Sequence, residues 1–155
     1  MLLRRTGVRL FELHSAVLIR RTPEEIFHFF ADARNLDLLT PPWLHFQIVD
    51  PSPTAILPGT EIDYRLRLRG VPLRWRSRIT AWNPPSLFVD EQVRGPYRRW
   101  IHRHRFRPVE GGTLVEDRVR YAVWGGRLVD RWLVAPDLSR IFRYRRERLL
   151  ERFPD

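Results

Sequence analysis

The chain has 155 residues, of which 43% are hydrophobic and 12% aromatic, and this suits one globular domain spanning residues 1–155. It has no cysteine, which excludes disulfides and thiolate metal sites, and no apolar run long enough to cross a bilayer. The formal net charge is +10 and all 28 basic residues are arginine, yet no nucleic-acid recognition motif is present. We therefore expect a cytoplasmic protein without a signal peptide, a membrane span or a nucleic-acid partner.

The first third of the chain predicts one strand and two short helices. Residues 8–19 alternate as in a β-strand, and the face expected in the core carries Phe11, Leu13, Ser15, Val17 and Ile19. Thr22 and Glu25 are spaced as a capping box that starts the first helix. A second helix at residues 35–39 has to end at Thr40, because two prolines follow.

The middle of the chain predicts a β-meander. From residue 45 to residue 124 the hydrophobic period is two, which accounts for five or six strands after the first. Within residues 62–69 and 73–80, arginines alternate with apolar residues and mark the face expected to be wet. The whole chain therefore predicts six to seven antiparallel strands.

The last segment, residues 127–153, returns to helical spacing. Its apolar stripe, expected to face the sheet, contains Leu128, Trp132, Ala135, Leu138, Phe142, Leu149 and Phe153. Pro136 lies inside this segment, where it removes a backbone hydrogen bond and clashes with the preceding turn. We expect a kink or break near residues 134–136.

This order of elements predicts an α+β fold in which a twisted antiparallel sheet wraps around the final helix. Four local strings add to the pattern, at residues 22–27, 40–44, 95–106 and 141–145. With them, residues 11–153 resemble the START and birch-pollen-allergen superfamily, also called SRPBCC, and its bacterial ligand-binding branch near the polyketide cyclases and dehydrases. The resemblance implies a helix-grip fold with a pocket between the sheet and the helix.

Strand parity indicates which side chains reach that pocket. On the strand at residues 98–106, His102 and His104 share a face with Trp100 and Phe106, so inward aromatics carry both histidines inward. The neighbouring strands bring acids and aromatics alongside them. We expect the ligand-binding residues to be Tyr64, Trp75, Phe88, Asp90, Gln92, Trp100, His102, His104, Phe106, Asp117, Tyr121 and Arg145.

The polar members of this set, Asp90, Gln92, His102, His104 and Asp117, have three interpretations: a structural network, ligand recognition, and acid-base catalysis. Two histidines two residues apart are a weak metal signal, so we assign no metal ligand, no cofactor and no catalytic residue. Nucleophile motifs, phosphate-binding loops and dinucleotide fingerprints are missing, which excludes most hydrolases, kinases and dehydrogenases.

The predicted function is binding of a small hydrophobic molecule, such as a lipid, isoprenoid or polyketide-like compound, by a monomer or homodimer. One alternative is a cyclase, dehydratase or isomerase that uses His102 or His104 with Asp90 or Asp117. Another is an interaction module whose own side chains fill the pocket. The outward arginines are interpreted as a solvated face, while docking to an acidic partner or peripheral contact with a membrane stays open.

Arg145 is the exception in the apolar stripe. Its spacing from Phe142 and Leu149 places it on their inward face. A guanidinium there needs a carboxylate partner, so we predict a pair with Asp90 or Asp117. The alternative is that Arg145 lies at the edge of the stripe with its head in water.

Overall fold

A computed structural model describes residues 8–49 and 55–155. Within these residues, seven strands form one antiparallel sheet in the order β1-β7-β6-β5-β4-β3-β2. The strands are β1 (Phe11–Ile19), β2 (Gln47–Ile48), β3 (Glu61–Leu68), β4 (Val71–Asn83), β5 (Leu87–Arg94), β6 (Arg99–Val109) and β7 (Gly112–Ala122). The meander and the strand number predicted from the period of two are confirmed.

Short helices connect β1 to β2, and a longer helical segment follows β7. The helices are α1 (Pro23–Phe30), α2 (Asn35–Leu39), α3 (Gly126–Val129) and α4 (Ala135–Arg152), with a 3₁₀ turn at Pro42–Leu44 and a π turn at Asp130–Val134. The predicted capping box is confirmed, since Glu25 N–H donates to Thr22 Oγ1 at 3.3 Å and Thr22 N–H donates to the Glu25 carboxylate at 2.9 Å. No described helix has the length and apolarity that crossing a bilayer requires.

The C-terminal helical segment contains a π turn just before Pro136, near the predicted kink or break, but the backbone stays helical throughout. The π turn ends at Val134, and Pro136 falls in the first turn of α4. Two stripe residues are wrongly predicted, because Leu128 is 70% exposed and Trp132 is 67% exposed. The π turn adds a residue and rotates everything before it by about 100°, so that Asp130 faces inward instead.

The core lies between the concave face of the sheet and the helices. Leu138, Phe142, Arg145 and Leu149 of α4 are buried against the sheet. The opposite face is wet as predicted: Arg76 pairs with Asp63 at 2.8 Å, and Arg78 with Glu61 at 2.6 Å. The concave face is therefore the place where a site can be enclosed.

Candidate functional site

The period of β6 sets the orientation of both histidines. Trp100, His102, His104 and Phe106 are buried, whereas Arg99 and Arg105 are exposed. In the sheet register, His102 lies opposite Asp90 on β5, and His104 lies opposite Asp117 on β7. The predicted parity is confirmed, and it brings two histidines and two carboxylates together.

Each histidine forms a short hydrogen bond with one carboxylate. His104 Nε2 lies 2.6 Å from Asp90 Oδ2, and His102 Nε2 lies 2.8 Å from Asp117 Oδ1. Ser77 donates its hydroxyl to the other Asp90 oxygen at 3.2 Å. The two imidazole rings stack with their centroids 3.7 Å apart. We call the group formed by Asp90, His102, His104, Asp117 and Arg145 the polar cluster.

Arg145 joins α4 to this cluster. Its Nε donates to Asp117 Oδ2 at 3.1 Å and its Nη2 to Asp117 Oδ1 at 3.2 Å. The predicted inward ion pair is thus confirmed, with Asp117 as the partner. The guanidinium also lies 5.1 Å from the centre of the Phe30 ring, a cation–π distance.

Burial and pairing shift the acidity of the two carboxylates. Burial alone raises the pKa of Asp117, but the charge of Arg145 and the hydrogen bonds from both histidines hold that pKa well below 3.8. Burial also acts to raise the pKa of Asp90, but the hydrogen bond from His104 and the charges of the two histidines outweigh burial and lower this pKa. Both carboxylates are therefore ionised at neutral pH.

The pKa values of the two histidines shift in opposite directions. Burial and the nearby charge of His104 lower the pKa of His102, so this ring is neutral at pH 7. Burial also acts to lower the pKa of His104, but its bonds to Asp117 and Asp90 outweigh burial and raise the pKa. His104 Nδ1 can donate to Asp117 Oδ1 at 3.4 Å when protonated and accept from Arg145 at 3.2 Å when neutral.

Three members of the polar cluster have the ligand types of a metal site. Asp90, His102 and His104 each offer one atom, and these atoms lie within 4.8 Å of one another. However, the 2.6 Å contact between His104 and Asp90 shares a proton, and Arg145 already supplies a positive charge 3.2 Å from His104. A divalent ion would have to displace that proton beside a guanidinium, so we describe the group as hydrogen-bonded pairs.

A pocket of about 180 Å³ lies beside the polar cluster, between the sheet, α2 and α4. Its walls are mainly apolar. Eight of the predicted ligand-binding residues line it: Tyr64, Trp75, Phe88, Asp90, Trp100, His102, His104 and Arg145. The structure thus brings most of the predicted set around one cavity.

Four predicted residues lie outside the pocket lining. Gln92 bonds the backbone of Tyr97 at 2.8 and 3.1 Å and so shapes the β5–β6 turn. Phe106 is buried among aromatic rings of the core, and Tyr121 donates its hydroxyl to Asp130 at 2.7 Å. Asp117 lies behind the histidines, where it holds their rings through Nε2 of His102 and through Arg145.

The sequence did not reveal the part of the wall that comes from the connection between α1 and β2. This part contains Leu36, Leu39, Thr40, Leu44 and Phe46. The connection breaks at Pro41 and Pro42, so neither the helical period nor the period of two continues through it, and no pattern fixes which side chains face inward. The apolar spacing of α2 is its only signal.

The sheet wrapped around α4, with a pocket between them, defines the protein as a helix-grip protein. The family model described as "Polyketide cyclase / dehydrase and lipid transport" matches residues 19–153, and the chain belongs to this family. No curated protein matches the chain, so this comparison does not indicate a particular branch of the family.

Solved structures with low identity share the fold. Ginseng major latex-like protein 151 from Panax ginseng superposes with a TM-score of 0.71 at 10% identity, covering 96% of this chain and all of its own. Protein CV1439 from Chromobacterium violaceum gives 0.71 at 14% identity, covering 94% and 98%. Norcoclaurine synthase from Thalictrum flavum, solved with a transition-state analogue, gives 0.67 at 12% identity, covering 96% and 99%. At these identities the likeness shows the fold alone.

Proposed function

We propose that the protein binds a small, mainly apolar molecule that carries one hydrogen-bond donor such as a hydroxyl group. The observation that carries this proposal is the apolar pocket with Asp90 and His102 in its wall. Apolar cavities with a few placed polar groups are typical of ligand sites. The family description, which includes lipid transport, agrees with an apolar ligand.

The cavity volume limits the size of the ligand. About 180 Å³ is below the roughly 300–1,000 Å³ of pockets for drug-sized molecules. It is somewhat larger than a cavity of about 150 Å³ that holds benzene. A compound of one or two rings is therefore the class we infer, in preference to a long-chain lipid. The cavity also counts against an interior that is filled entirely by its own side chains.

The polar wall selects a donor on the ligand. His102 is neutral and donates through Nε2 to Asp117, so its Nδ1 is an acceptor. That Nδ1 lies 3.9 Å from Asp90 Oδ2, beyond hydrogen-bond range. Two acceptors side by side, one of them charged, favour a hydroxyl between them. The indole N–H of Trp75 is buried and has no hydrogen-bond partner among the described residues.

The test compares 1-naphthol with naphthalene, which differ by the hydroxyl group alone. Isothermal titration should show 1-naphthol binding at least about tenfold more tightly, because a hydrogen bond to a charged group contributes about 1.5–3 kcal/mol. Asp90→Asn should remove most of this difference while leaving naphthalene binding unchanged. Asp63→Asn, on the wet face of the sheet, is the matched control.

Two results would overturn the proposal. In the first, neither compound binds, and no small apolar compound raises the melting temperature of the protein. In the second, both bind equally, and Asp90→Asn behaves like Asp63→Asn. Native mass spectrometry of the purified protein, which detects a co-purified small molecule, gives an independent measurement of ligand size.

A second candidate function is proton transfer at a carbon next to a carbonyl group. The observation that favours it is the pair of ionised and neutral bases, Asp90 and His102, at the edge of an apolar cavity. A two-ring ketone, α-tetralone, in deuterated water tests it. Catalysed uptake of deuterium at the α-carbon, lost in His102→Asn and Asp90→Asn, supports an enzyme. Exchange at the uncatalysed rate leaves ligand binding as the function.

A further inference from the structure

Large hydrophobic side chains are exposed at the end of the sheet where β3 meets β4. Trp124 is 66% exposed, Leu128 70% and Trp132 67%. We call the set formed by Val71, Val93, Trp124, Leu128, Trp132 and Leu133 the apolar end. Exposed apolar residues that are grouped in this way mark an interaction surface, whereas scattered ones do not.

The topology brings these residues together. In an antiparallel meander, the β3–β4 turn, the β5–β6 turn and the segment after β7 all lie at one end. Arg69 of the β3–β4 turn forms two 3.0 Å hydrogen bonds with Asp137 at the start of α4. The guanidinium of Arg98 in the β5–β6 connection lies 5.4 Å from the centre of the Trp124 ring. Side-chain contacts thus connect the turns to the helical segment.

The same end is positively charged. Its exposed arginines that form no ion pair among the described residues include Arg94, Arg98, Arg127 and Arg131. The two acids at the start of the helical segment are already engaged: Asp130 is buried and accepts from Tyr121, and Asp137 is bonded to Arg69. Arg131 also lies 5.4 Å from the ring centre of Trp132, so charge and aromatic surface are adjacent.

We propose that the apolar end docks on an anionic lipid surface. Tryptophan and leucine insert at the level of the headgroups, and arginine pairs with lipid phosphates, which is the combination present here. A second copy of the chain would bring the four unpaired arginines against each other, and like charges in contact oppose such a dimer. A nucleic acid would satisfy the arginines but leave Leu128 and Val71 exposed.

The pocket wall extends toward this end. Leu68 at the end of β3, Tyr97 in the β5–β6 connection and Leu138 in the first turns of α4 all line the cavity. An apolar ligand dissolved in a bilayer would thus meet the docked protein near its pocket. This consequence rests on the proposed function, whereas docking itself does not depend on any ligand.

Co-sedimentation with vesicles tests the docking. The protein is mixed with vesicles of phosphatidylcholine, or with vesicles in which about 30% of the lipid is phosphatidylglycerol. We expect binding to the anionic vesicles that weakens with salt. Arg127→Gln combined with Arg131→Gln should lower the affinity at least about tenfold, because each arginine near an anionic surface is worth about 1 kcal/mol. Trp124→Ser combined with Trp132→Ser should reduce binding to background.

Matched variants separate a defined surface from general charge. Arg65→Gln combined with Arg105→Gln removes the same charge from exposed strand positions and should leave binding close to wild type. Leu128→Ser should weaken binding, while Leu57→Ser, a similarly exposed leucine at the opposite end of β3, should not. All four positions are exposed, so circular dichroism should show unchanged folding.

Three outcomes would overturn the proposal. The first is equal loss of binding in the two arginine pairs, which indicates charge without a surface. The second is equal behaviour of Leu128→Ser and Leu57→Ser. The third is a change in oligomeric state on gel filtration caused by the tryptophan substitutions without any change in vesicle binding, which assigns the apolar end to a second copy. The naphthol titration is independent of all three.

Discussion

Arg145 joins the C-terminal helix to the sheet through one buried carboxylate. Its side chain is 10% exposed, and that of Asp117 is 7% exposed. A buried ion pair contributes little net stability when complete, but the loss of one partner leaves an uncompensated charge. The importance of Arg145 for stability therefore comes from Asp117, which cannot find another full charge in the cluster unless His104 is protonated.

Replacing Arg145 by methionine should lower the free energy of unfolding by about 3 kcal/mol. The substitution keeps most of the side-chain volume but leaves the Asp117 carboxylate buried without its guanidinium. Urea denaturation at pH 7 measures the change. Arg146→Met is the matched control on the same helix, because Arg146 is exposed and its loss should change stability by no more than about 0.5 kcal/mol.

Adding Asp117→Asn to Arg145→Met should recover part of the lost stability, because the amide removes the unpaired charge. Coupling of this kind distinguishes a buried ion pair from a general packing defect. If the double variant is less stable than Arg145→Met by the full cost of Asp117→Asn alone, the two residues do not interact. If Arg145→Met is as stable as wild type, the ion pair has no role in the fold.

The sequence predicted the geometry of this cluster better than its hydrogen bonds. Alternation along β6 is strict, because Trp100 and Phe106 have to be buried, so His102 and His104 have no other face to occupy. The partner of Arg145 stayed open, since the two inward acids lie on the two strands that flank β6, and the twist of the sheet decides which is nearer. That distance depends on the whole fold and on no local pattern.

At the scale of elements, the capping box fixes the start of α1. The carboxylate of Glu25 and the hydroxyl of Thr22 exchange hydrogen bonds with each other's backbone N–H groups. Behind this cap, Ile26, Phe27 and Phe30 are buried. The cap therefore sets the direction in which these side chains and that of Phe29 enter the core.

Thr22→Ala should lower the free energy of unfolding by about 1 kcal/mol, because the first turn of α1 loses its side-chain acceptor. Thr22→Ser keeps the hydroxyl and should change stability by a few tenths of that amount. Thermal unfolding of the two variants under the same conditions measures the difference. Equal melting temperatures for both would show that the cap does not limit stability.

The helical segment after β7 shows where local patterns fail. Helical spacing aligned Leu128 and Trp132 with Leu138, which holds for a continuous α-helix. Pro136 predicted a kink or break, whereas the structure has a π turn within a continuous helical segment. A proline does not reveal how many residues such a turn contains. One additional residue in the π turn moves Leu128 and Trp132 into solvent. The apolar end could not be found without the structure for this reason.

At the scale of the whole molecule, a sheet that is almost entirely a meander could be predicted from sequence. Consecutive strands from β2 to β7 are neighbours, and turn residues separate them. The pairing of β1 with β7 joins residues about 100 positions apart, and no turn or local period in the sequence indicates it. The pocket volume could not be predicted, because it is the small difference between the large volumes of the sheet, the helices and their side chains.

Stability of the whole protein should reach a maximum near pH 6.5. Below this pH, the lowered pKa of His102 means that the unfolded chain binds protons more readily, so stability falls as pH falls. Below about 3.8 the lowered pKa values of Asp90 and Asp117 act in the same direction. His104 has the opposite effect, because its pKa is raised in the folded state. Its contribution to stability is fully present below pH 6.5 and is lost as the pH rises through the folded pKa.

Urea denaturation from about pH 3 to pH 9 tests this profile, and one substitution separates its two sides. His104→Asn removes the group whose pKa is raised, so the decline on the alkaline side should disappear. The loss of stability in acid should persist in this variant, because Asp117 is still paired with the Arg145 guanidinium in the folded state and is hydrated in the unfolded chain. A decline above pH 6.5 that is unchanged in His104→Asn would mean that another group titrates there. The raised pKa of His104, and the proton it shares with Asp90, would then be excluded as the cause.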